Sequence, residues 1–218
     1  MQEVNLLKSL PSTKRNISKR KTSKDKNIVA EAKKFGKMYW DGPREFGYGG
    51  YSYDGRWKSV AFDIIKFYKL KPGMRVLDVG CGKGFLVKDL SDACKGLNVF
   101  GLDISKYALI NCHEDVVGKL HYGSADELIF ADNSFDLVIS INTIHNLIKK
   151  RALLAIKEIQ RVSRKHAFVQ VDSYHNQEQK EIFESWVLTA NYYGYPNEWL
   201  SLFAEAGYTG DYFWTIIN

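Results

Sequence analysis

A glycine-rich stretch containing one acidic residue is the part of this sequence best suited to chemistry. Asp78 lies in a short apolar run, and Gly80, Gly82 and Gly84 follow at alternate positions, with Cys81 inside the turn. Glycines at this spacing allow a tight turn and a close approach of the backbone to a ligand. In doubly wound sheets, ligands bind beyond the carboxyl ends of the strands. The stretch therefore predicts a ligand site after the first strand of such a sheet.

Two kinds of nucleotide ligand compete for this turn. Dinucleotide sites use the pattern G-x-G-x-x-G and place a pyrophosphate at a helix N-terminus. Here the pattern is G-x-G-x-G, and Asp78 precedes it. A carboxylate repels pyrophosphate but attracts an ammonium or sulfonium group, by about 4 kcal/mol at 4 Å before desolvation. The charge of Asp78 therefore favours S-adenosylmethionine, which carries both cations, over NAD.

Two further acidic residues stand where a nucleoside needs them. Asp103 ends an apolar strand 21 positions after Gly82 and can accept hydrogen bonds from both ribose hydroxyls. Both nucleotide ligands need this residue, so it supports adenosine without choosing between them. Asp126 follows the third predicted strand and can accept a hydrogen bond from an exocyclic amine such as that of adenine. The alternatives are a surface aspartate for Asp103 and a helix cap for Asp126.

The combined pattern resembles the class I S-adenosylmethionine-dependent methyltransferases, and within them the broad small-molecule, type-11-like branch. The resemblance covers about residues 57–172 in the family's order and implies a cofactor-binding core there. Its motifs are the segments Leu77–Gly84, Gly101–Ile104, Ser124–Asp126 and Ala131–Ser140.

The resemblance implies which part of the cofactor each segment contacts. The first acid and the glycine turn would hold the methionine part, and the second acid would hold the ribose. The next positions would contact adenine, and the residue after the fourth strand would line the junction with the acceptor. In that order these residues are Asp78, Gly80, Cys81, Gly82 and Gly84; Asp103; Ile104, Ala125 and Asp126; and Asn142.

His145 is the candidate catalytic base. It lies just beyond the carboxyl end of the fourth predicted strand, and a base is needed where the acceptor must lose a proton. A structural histidine bonded to a backbone carbonyl is an equally good interpretation. The segment lacks the Asn-Pro-Pro-Tyr tetrapeptide of family members that methylate adenine or amide nitrogens, which argues against those acceptors. No metal site is predicted.

A glycine- and aromatic-rich passage, residues 38–57, stands outside the part that resembles the family core. Glycines give this passage backbone freedom, and its tyrosines offer large faces with polar tips. It is interpreted as a lid that presents Tyr48, Tyr51 and Arg56 to the acceptor, with Arg56 available to a carboxylate or phosphate. The alternative is a loop that only packs over a sheet edge.

Apolar strands alternate with amphipathic helices from residue 59 to the C-terminus. The predicted elements include strands over 135–141 and 166–171, a helix from Ser105 to about Val116 and an amphipathic helix over 149–162. This alternation predicts an α/β fold: one doubly wound, mainly parallel sheet with helices on both faces, the Rossmann-like fold of the resembled family. Methyltransferases of this class usually end in an antiparallel pair of strands. Only one closing strand is evident here, over 212–217, so the completion of the sheet edge stays open.

The net charge of +6 comes from one end of the chain. Residues 1–27 hold eight basic and two acidic residues, and the remainder is balanced. This composition predicts a disordered basic arm over 1–27 and a methyltransferase domain over 28–218. Three scattered cysteines, no signal sequence and no long apolar run predict a cytoplasmic protein without a membrane span.

Three functions are compatible with these residues. The first is methyl transfer from S-adenosyl-L-methionine to a small-molecule acceptor. The second is methylation of RNA or protein recruited by the basic residues between 8 and 26, which would give a steep dependence on salt. The third is cofactor binding without transfer. The acceptor atom and the oligomeric state are not predicted.

Overall fold

The alternating pattern produces a parallel sheet in the computed structural model, which describes residues 1–11 and 15–217. In that part of the chain six strands pair in the order β3-β2-β1-β4-β5-β6, and every pair is parallel. The strands are β1 (Arg75–Val79), β2 (Asn98–Asp103), β3 (Leu120–Tyr122), β4 (Phe135–Ile141), β5 (Ser163–Ser173) and β6 (Asp211–Ile216). The sheet places the carboxyl ends of all six strands at one edge.

Helices connect these strands and precede them. They are α1 (Ile17–Ser23), α2 (Lys26–Ala32), α3 (Lys37–Asp41), α4 (Lys58–Tyr68), α5 (Phe85–Ala93), α6 (Lys106–Ile110), α7 (Lys149–Val162), α8 (Gln177–Trp186) and α9 (Pro196–Ala206). Two short 3-10 turns, Glu114–Val116 and Ile144–Asn146, follow α6 and β4.

The alternation of side chains along the strands divides the core into two layers. On β1, Leu77 and Val79 pack with residues of α7 and α9, whereas Val76 packs on the other face with residues of α4 and α5. On α7, Ala152 and Ile156 are buried one turn apart, as an amphipathic helix requires. The predicted doubly wound sheet with helices on both faces is confirmed.

The closing edge of the sheet differs from the antiparallel pair of strands usual in the resembled family. Strand β6 runs parallel to β5, and the beginning of the chain covers its outer side. The Tyr212 N–H donates to the Gln2 carbonyl at 3.0 Å, and the Val4 N–H donates to the Tyr212 carbonyl at 2.9 Å. Backbone groups of β6 that would face solvent are thereby paired.

The predicted disordered arm is therefore corrected for residues 1–11 and 15–27. Leu6 is buried in the core layer that contains α4, and Arg20 of α1 is buried with its guanidinium over the ring of Trp186. Lys24 donates to the carbonyls of Glu184 and Val187 at the C-terminus of α8. Composition misled because basic side chains can bury their apolar stems against aromatic rings and cap helix ends.

Among the described residues no helix combines the length and the apolar character that crossing a membrane requires.

Candidate functional site

Two cavities lie where the carboxyl ends of β1, β2, β4 and β5 meet. The glycine-turn cavity has a volume of about 360 Å³, and its lining includes Gly80, Asp103, Ile104, Ala125 and Asn142, all five predicted from the sequence. Other residues that line it are Lys33, Lys34, Phe35, Tyr39, Trp40, Tyr48, Leu102, Gly123, Ser124, Ile141, Thr143, Asn146, Leu147, Arg151 and Asn191.

The turn after β1 requires glycine for two separate reasons. Gly80 has φ +85°, and a Cβ there would lie 2.0 Å from the hydroxyl oxygen of Thr143. At Gly84 an added Cβ would lie 2.8 Å from a methyl group of Val116. The lack of a side chain at this position therefore allows α5 to pack close to the sheet. Gly80 therefore borders the cavity, whereas Gly84 is a packing residue that lines neither cavity.

Asp103 joins the end of β2 to this turn. Its carboxylate accepts the Gly82 N–H and the Ser105 N–H, both at 2.7 Å, and only 7% of the residue is exposed. Burial raises the pKa of Asp103, and the backbone hydrogen bonds oppose this rise. The carboxylate keeps lone pairs that can accept hydrogen bonds from a ligand in the cavity.

Asp78 lies beneath the turn and lines neither cavity. Burial and, to a smaller extent, the nearby charge of Asp103 raise its pKa to about 7. Cys81 and Gly82 also lie outside both linings, and a Cβ on Gly82 would meet the ring of Trp40 at 2.8 Å. Of the residues predicted to hold the methionine part, Gly80 therefore lines the glycine-turn cavity, whereas Asp78, Cys81, Gly82 and Gly84 line neither cavity.

Asp126 is the predicted cofactor contact that the structure assigns to another partner. Arg151 donates to both of its carboxylate oxygens, at 2.5 and 2.8 Å, and the Ser124 hydroxyl donates to it as well. This pairing lowers the pKa of Asp126. The carboxylate does not line the glycine-turn cavity, whereas Ser124 and Arg151 do.

The passage over residues 38–57 packs above the turn as a stack of rings. Trp40 donates its indole N–H to the Ser105 hydroxyl at 2.8 Å, and Tyr48 stacks on Trp40 with centroids 5.2 Å apart. Tyr51 lies between Tyr48 and Phe85, at 4.4 and 4.8 Å. Tyr48 lines both cavities, whereas Tyr51 lines neither.

Arg56 does not reach either cavity. Its guanidinium forms a bidentate pair with Asp54, two residues earlier, on the exposed side of the passage. The predicted role of Arg56 in binding an acceptor carboxylate or phosphate is therefore corrected: this side chain already has a carboxylate partner and lines neither cavity.

The second cavity, the arginine cavity, has a volume of about 250 Å³ and lies beside the first. Tyr39, Tyr48 and Asn142 line both, so these three residues form a common wall. The rest of its lining is Arg15, Arg20, Arg44, Gly47, His145, Asp172, Trp186, Val187, Leu188, Thr189, Thr215 and Ile217.

Asn142 is held in an uncommon backbone conformation in this wall. Its φ is +52°, a region that asparagine tolerates better than most residues. The Asn142 N–H donates to the Gln170 carbonyl at 2.9 Å, and its side-chain oxygen accepts from the Thr215 hydroxyl at 3.0 Å. Contacts to β5 and β6 therefore fix the direction of its amide.

His145 and Asp172 form the inner end of the arginine cavity. The His145 Nδ1 atom accepts the Asp172 N–H at 3.1 Å, and its Nε2 atom lies 3.7 Å from the Asp172 carboxylate. Burial lowers the pKa of His145, and it raises the pKa of Asp172. The ring is therefore neutral near pH 7, with its hydrogen on Nε2, because Nδ1 is already an acceptor.

Several lining residues were missed from the sequence. Asp172 stands near the carboxyl end of β5, so the same strand-end argument that selected Asp103 could have found it. Arg15 and Arg20 stand among the basic residues near the N-terminus and Arg44 in the aromatic passage, but nothing local showed that they meet, because these segments reach the cavity only through tertiary packing.

Comparisons with known proteins identify the kind of domain and its fold. A family profile described as a methyltransferase domain matches residues 77–170, and one described as protein-L-isoaspartate(D-aspartate) O-methyltransferase matches residues 13–118. A SAM dependent methyltransferase from Aquifex aeolicus has a similar structure, with a TM-score of 0.52, 19% sequence identity and 89% of each chain covered.

Two relatives share more local sequence. Botryococcene C-methyltransferase of Botryococcus braunii is 33% identical over 138 residues, 55% of this chain and 36% of the relative. Malonyl-[acyl-carrier protein] O-methyltransferase of Legionella pneumophila is 28% identical over 149 residues, 66% of this chain and 51% of the relative. The chain thus spans about half or less of the length of these relatives. Residues 77–170 thus match a methyltransferase domain, and the profiles, the relatives and the shared fold together support a class I S-adenosylmethionine-dependent methyltransferase with a type-11-like domain.

Proposed function

We propose that this protein transfers a methyl group from S-adenosyl-L-methionine to a small molecule bound in the arginine cavity. The observation that carries the proposal is the common wall of Tyr39, Tyr48 and Asn142 between two adjacent cavities. A transferase needs two ligands whose reacting atoms meet, and adjacent cavities at the strand ends provide such a meeting point.

The glycine-turn cavity fits the cofactor of the family. Its volume lies within the range of about 300–1,000 Å³ typical of small-ligand sites. We assign the ribose to Asp103, adenine to Ile104 and Ala125, and the sulfonium side to Gly80 and Asn142. When bound, S-adenosyl-L-methionine supplies a methyl carbon that becomes bonded to the acceptor while the carbon–sulfur electron pair leaves with sulfur.

Two predicted cofactor contacts receive different roles. Asp78 acts through its charge beneath the turn, where it favours a cationic methionine part. Asp126 is left out of the cofactor site because Arg151 holds its carboxylate. Arg151, which lines the cavity beside Ser124, is stabilised by this pair.

Asp172 is the candidate base for an acceptor hydroxyl or amine. Its carboxylate is nine-tenths buried in the cavity wall, and in the described part of the chain no side chain donates a hydrogen bond to it. Burial raises its pKa, which makes the carboxylate a stronger proton acceptor. Asp172 would take the proton that the acceptor loses as its oxygen or nitrogen is methylated.

His145 then serves as a positioning residue rather than as the base predicted from the sequence. Its Nδ1 lone pair is taken by the Asp172 N–H, so the neutral ring has only an N–H to offer through Nε2. That hydrogen can orient the Asp172 carboxylate or donate to the acceptor. The stacked rings of the aromatic passage lie over the turn, which supports a role for this passage in covering the ligands and limiting the access of water.

Separate measurements of binding and turnover test this function. Purified protein should bind S-adenosyl-L-methionine by calorimetry and release S-adenosylhomocysteine when a suitable small molecule is added. Asp172→Asn should lower turnover by about 100-fold or more and leave cofactor affinity within about threefold. The wild-type rate should fall as pH drops through the raised pKa of Asp172, and the variant should lose this dependence.

The aromatic passage offers a second test with a control. Tyr48→Ala together with Tyr51→Ala should reduce turnover far more than cofactor affinity, because Tyr48 borders the acceptor. Tyr122→Ala removes an exposed tyrosine that lines neither cavity and should change neither quantity. Cofactor binding without product release from any acceptor would instead indicate a binding protein.

The names of the relatives support a small-molecule acceptor but do not identify the atom that is methylated. Their names include a C-methyltransferase and an O-methyltransferase, so the atom that receives the methyl group differs among them. Recruitment of RNA by the arm is the weaker candidate, because Arg20 and Lys24 already pack on Trp186 and on the end of α8. Three free cysteines support a reducing compartment such as the cytoplasm.

A further inference from the structure

The outer end of the arginine cavity is formed by three guanidinium groups around one indole ring. Arg15, Arg20 and Arg44 lie 5.9, 5.0 and 5.3 Å from the centroid of Trp186. They come from the segment before α1, from α1 itself and from the aromatic passage. The fold thus brings three like charges from two distant segments to one wall of one cavity.

These charges have no ion-pair partner among the described carboxylates, although Glu45 acts on Arg20 and Asp172 interacts with Arg15 over a longer distance. Between residues 1–11 and 15–217, no carboxylate forms an ion pair with any of the three guanidiniums. Arg20 donates to the Glu45 carbonyl at 2.6 Å, and Arg44 donates to the Gly47 carbonyl. Burial, and then repulsion from Arg44, lower the pKa of Arg20. A cluster of this kind is destabilising unless an anion lies against it.

The arginine cavity also contains a negative charge. Among the described residues that line it, the carboxylate is that of Asp172, which lies beside His145 and is also influenced by the charge of Arg15. Asp172 repels an anionic group, whereas the three arginines attract it. A neutral hydroxyl or amine is suited to the side of Asp172, where the carboxylate can accept its proton.

The guanidinium cluster can be reached from outside the arginine cavity. A neighbouring cavity of about 350 Å³, the outer cavity, is lined by Asn16, Lys19, Arg20, Ser23, Arg44, Glu45 and Trp186. Arg20, Arg44 and Trp186 therefore separate the two and belong to both. A ligand held by the arginines has room to extend outward, and Lys19 and Glu45 place one charge of each sign on that side.

We propose that the acceptor is a small anion, and that Arg15, Arg20 and Arg44 hold its phosphate or carboxylate group while its hydroxyl or amine points toward Asp172. This inference rests on the proposed function, because it assigns the substrate class of the same site. Guanidinium groups bind phosphate and carboxylate through planar, charge-assisted hydrogen bonds. They bind these anions more strongly and more specifically than exposed lysines do.

Anion binding can be measured without turnover. The full chain is titrated with inorganic phosphate and, separately, with succinate at constant ionic strength, and affinity is read by calorimetry and by the quenching of tryptophan fluorescence. Binding of phosphate alone identifies a phosphorylated acceptor, and binding of succinate alone identifies a carboxylate. A Trp186→Phe variant should remove most of the fluorescence response.

Variants that remove a charge test whether the three arginines are responsible for anion binding. Arg44→Gln and Arg15→Gln should each weaken anion binding by about tenfold or more. Lys21→Gln makes the same charge change on an exposed residue of α1 that lines neither the arginine cavity nor the outer cavity, and it should have less than about a twofold effect. Arg20 is buried, so Arg20→Lys serves as its variant, with thermal unfolding as a check of the fold.

The proposal is overturned if neither anion binds, or if Lys21→Gln weakens binding as much as the arginine variants do. Cofactor affinity is measured in the same samples. Normal cofactor binding with no anion binding would reject the anionic acceptor and leave the methyltransferase function intact, whereas absence of cofactor binding would reject the proposed function itself.

Discussion

The two cavities that meet at Asn142 are built in different ways. Apart from Asn191 and from the residues of the aromatic passage and the segment before it, the residues that line the glycine-turn cavity lie between Gly80 and Arg151, mainly at strand ends and in the turns that follow them. The arginine cavity combines residues as far apart as Arg15 and Ile217. The first site follows from the sheet itself. The second depends on how the N-terminal segments and α8 pack against that sheet, which leaves it free to differ among proteins with the same core.

The largest expected effect tests whether the turn forms the cofactor site. Gly80→Ala should weaken cofactor binding by more than about 100-fold, because the added Cβ would lie 2.0 Å from the Thr143 hydroxyl and shift the cavity wall. Calorimetry gives the affinity. Gly73→Ala is the matched control: Gly73 has φ +86°, close to the +85° of Gly80, but its added Cβ has no neighbour within 4 Å. Equal losses in both variants would point to backbone strain alone.

The next largest effect distinguishes two acidic residues, both of which were predicted from the sequence to contact the cofactor. Asp103→Ala should weaken cofactor binding by about 10- to 100-fold, because a charged acceptor of hydrogen bonds is lost from the cavity. Asp126→Ala should change the affinity by less than about fivefold, since that carboxylate is bound to Arg151 outside the lining. A larger effect at Asp126 than at Asp103 would contradict both assignments.

A smaller effect should appear in the pH dependence of cofactor affinity. The pKa of Asp78 is raised to about 7 by burial and by Asp103, so the carboxyl group is neutral below that pH and attracts the cationic methionine part only above it. Affinity should therefore increase by about tenfold between roughly pH 5.5 and 7.5, below the pKa of an ordinary α-amino group near 7.7–8.0. Titrations with Asp78→Asn should be flat over this range; a wild-type affinity that is equally flat would exclude a role for the Asp78 charge.

The smallest effect concerns the packing of the N-terminal segment. Lys24→Met should lower the free energy of unfolding by about 1 kcal/mol, because Lys24 satisfies two carbonyls at the C-terminus of α8. Lys21→Met, an exposed neighbour on α1, should have little effect. Thermal and urea unfolding measure both. Cofactor affinity should stay unchanged, because Lys24 lines neither the glycine-turn cavity nor the arginine cavity; identical stability of the two variants would mean that α1 does not hold α8.

Regular elements of the core were predictable because each strand and helix repeats a local pattern. The strand over 135–141 and the helix over 149–162 were predicted with the bounds that the structure gives. The helix predicted from 105 to about 116 was wrong in length: α6 ends at Ile110, and a separate 3-10 turn follows. The strand predicted over 166–171 extends to Ser163–Ser173, because pairing with β4 and β6 determines its ends.

The roles of individual polar side chains were less predictable than their positions. Asp126 stands where the family motif expects it, but Arg151, 25 residues later, takes its carboxylate. His145 lies in the cavity as expected, but the Asp172 N–H decides which of its nitrogens can act. A side chain's chemistry depends on partners that the local sequence does not reveal.

The sequence by itself determined the alternating architecture, the glycine turn after the first strand and the positions of Asp103 and Asn142 at strand ends. These follow from local periodicity and from the rule that parallel strands present their carboxyl ends at one edge. Only the tertiary structure decided that the basic N-terminal segment packs on the body and that Arg15, Arg20 and Arg44 surround Trp186. The reason is physical: contacts between residues more than 100 positions apart depend on the packing of complete elements, and no short stretch of sequence encodes that packing.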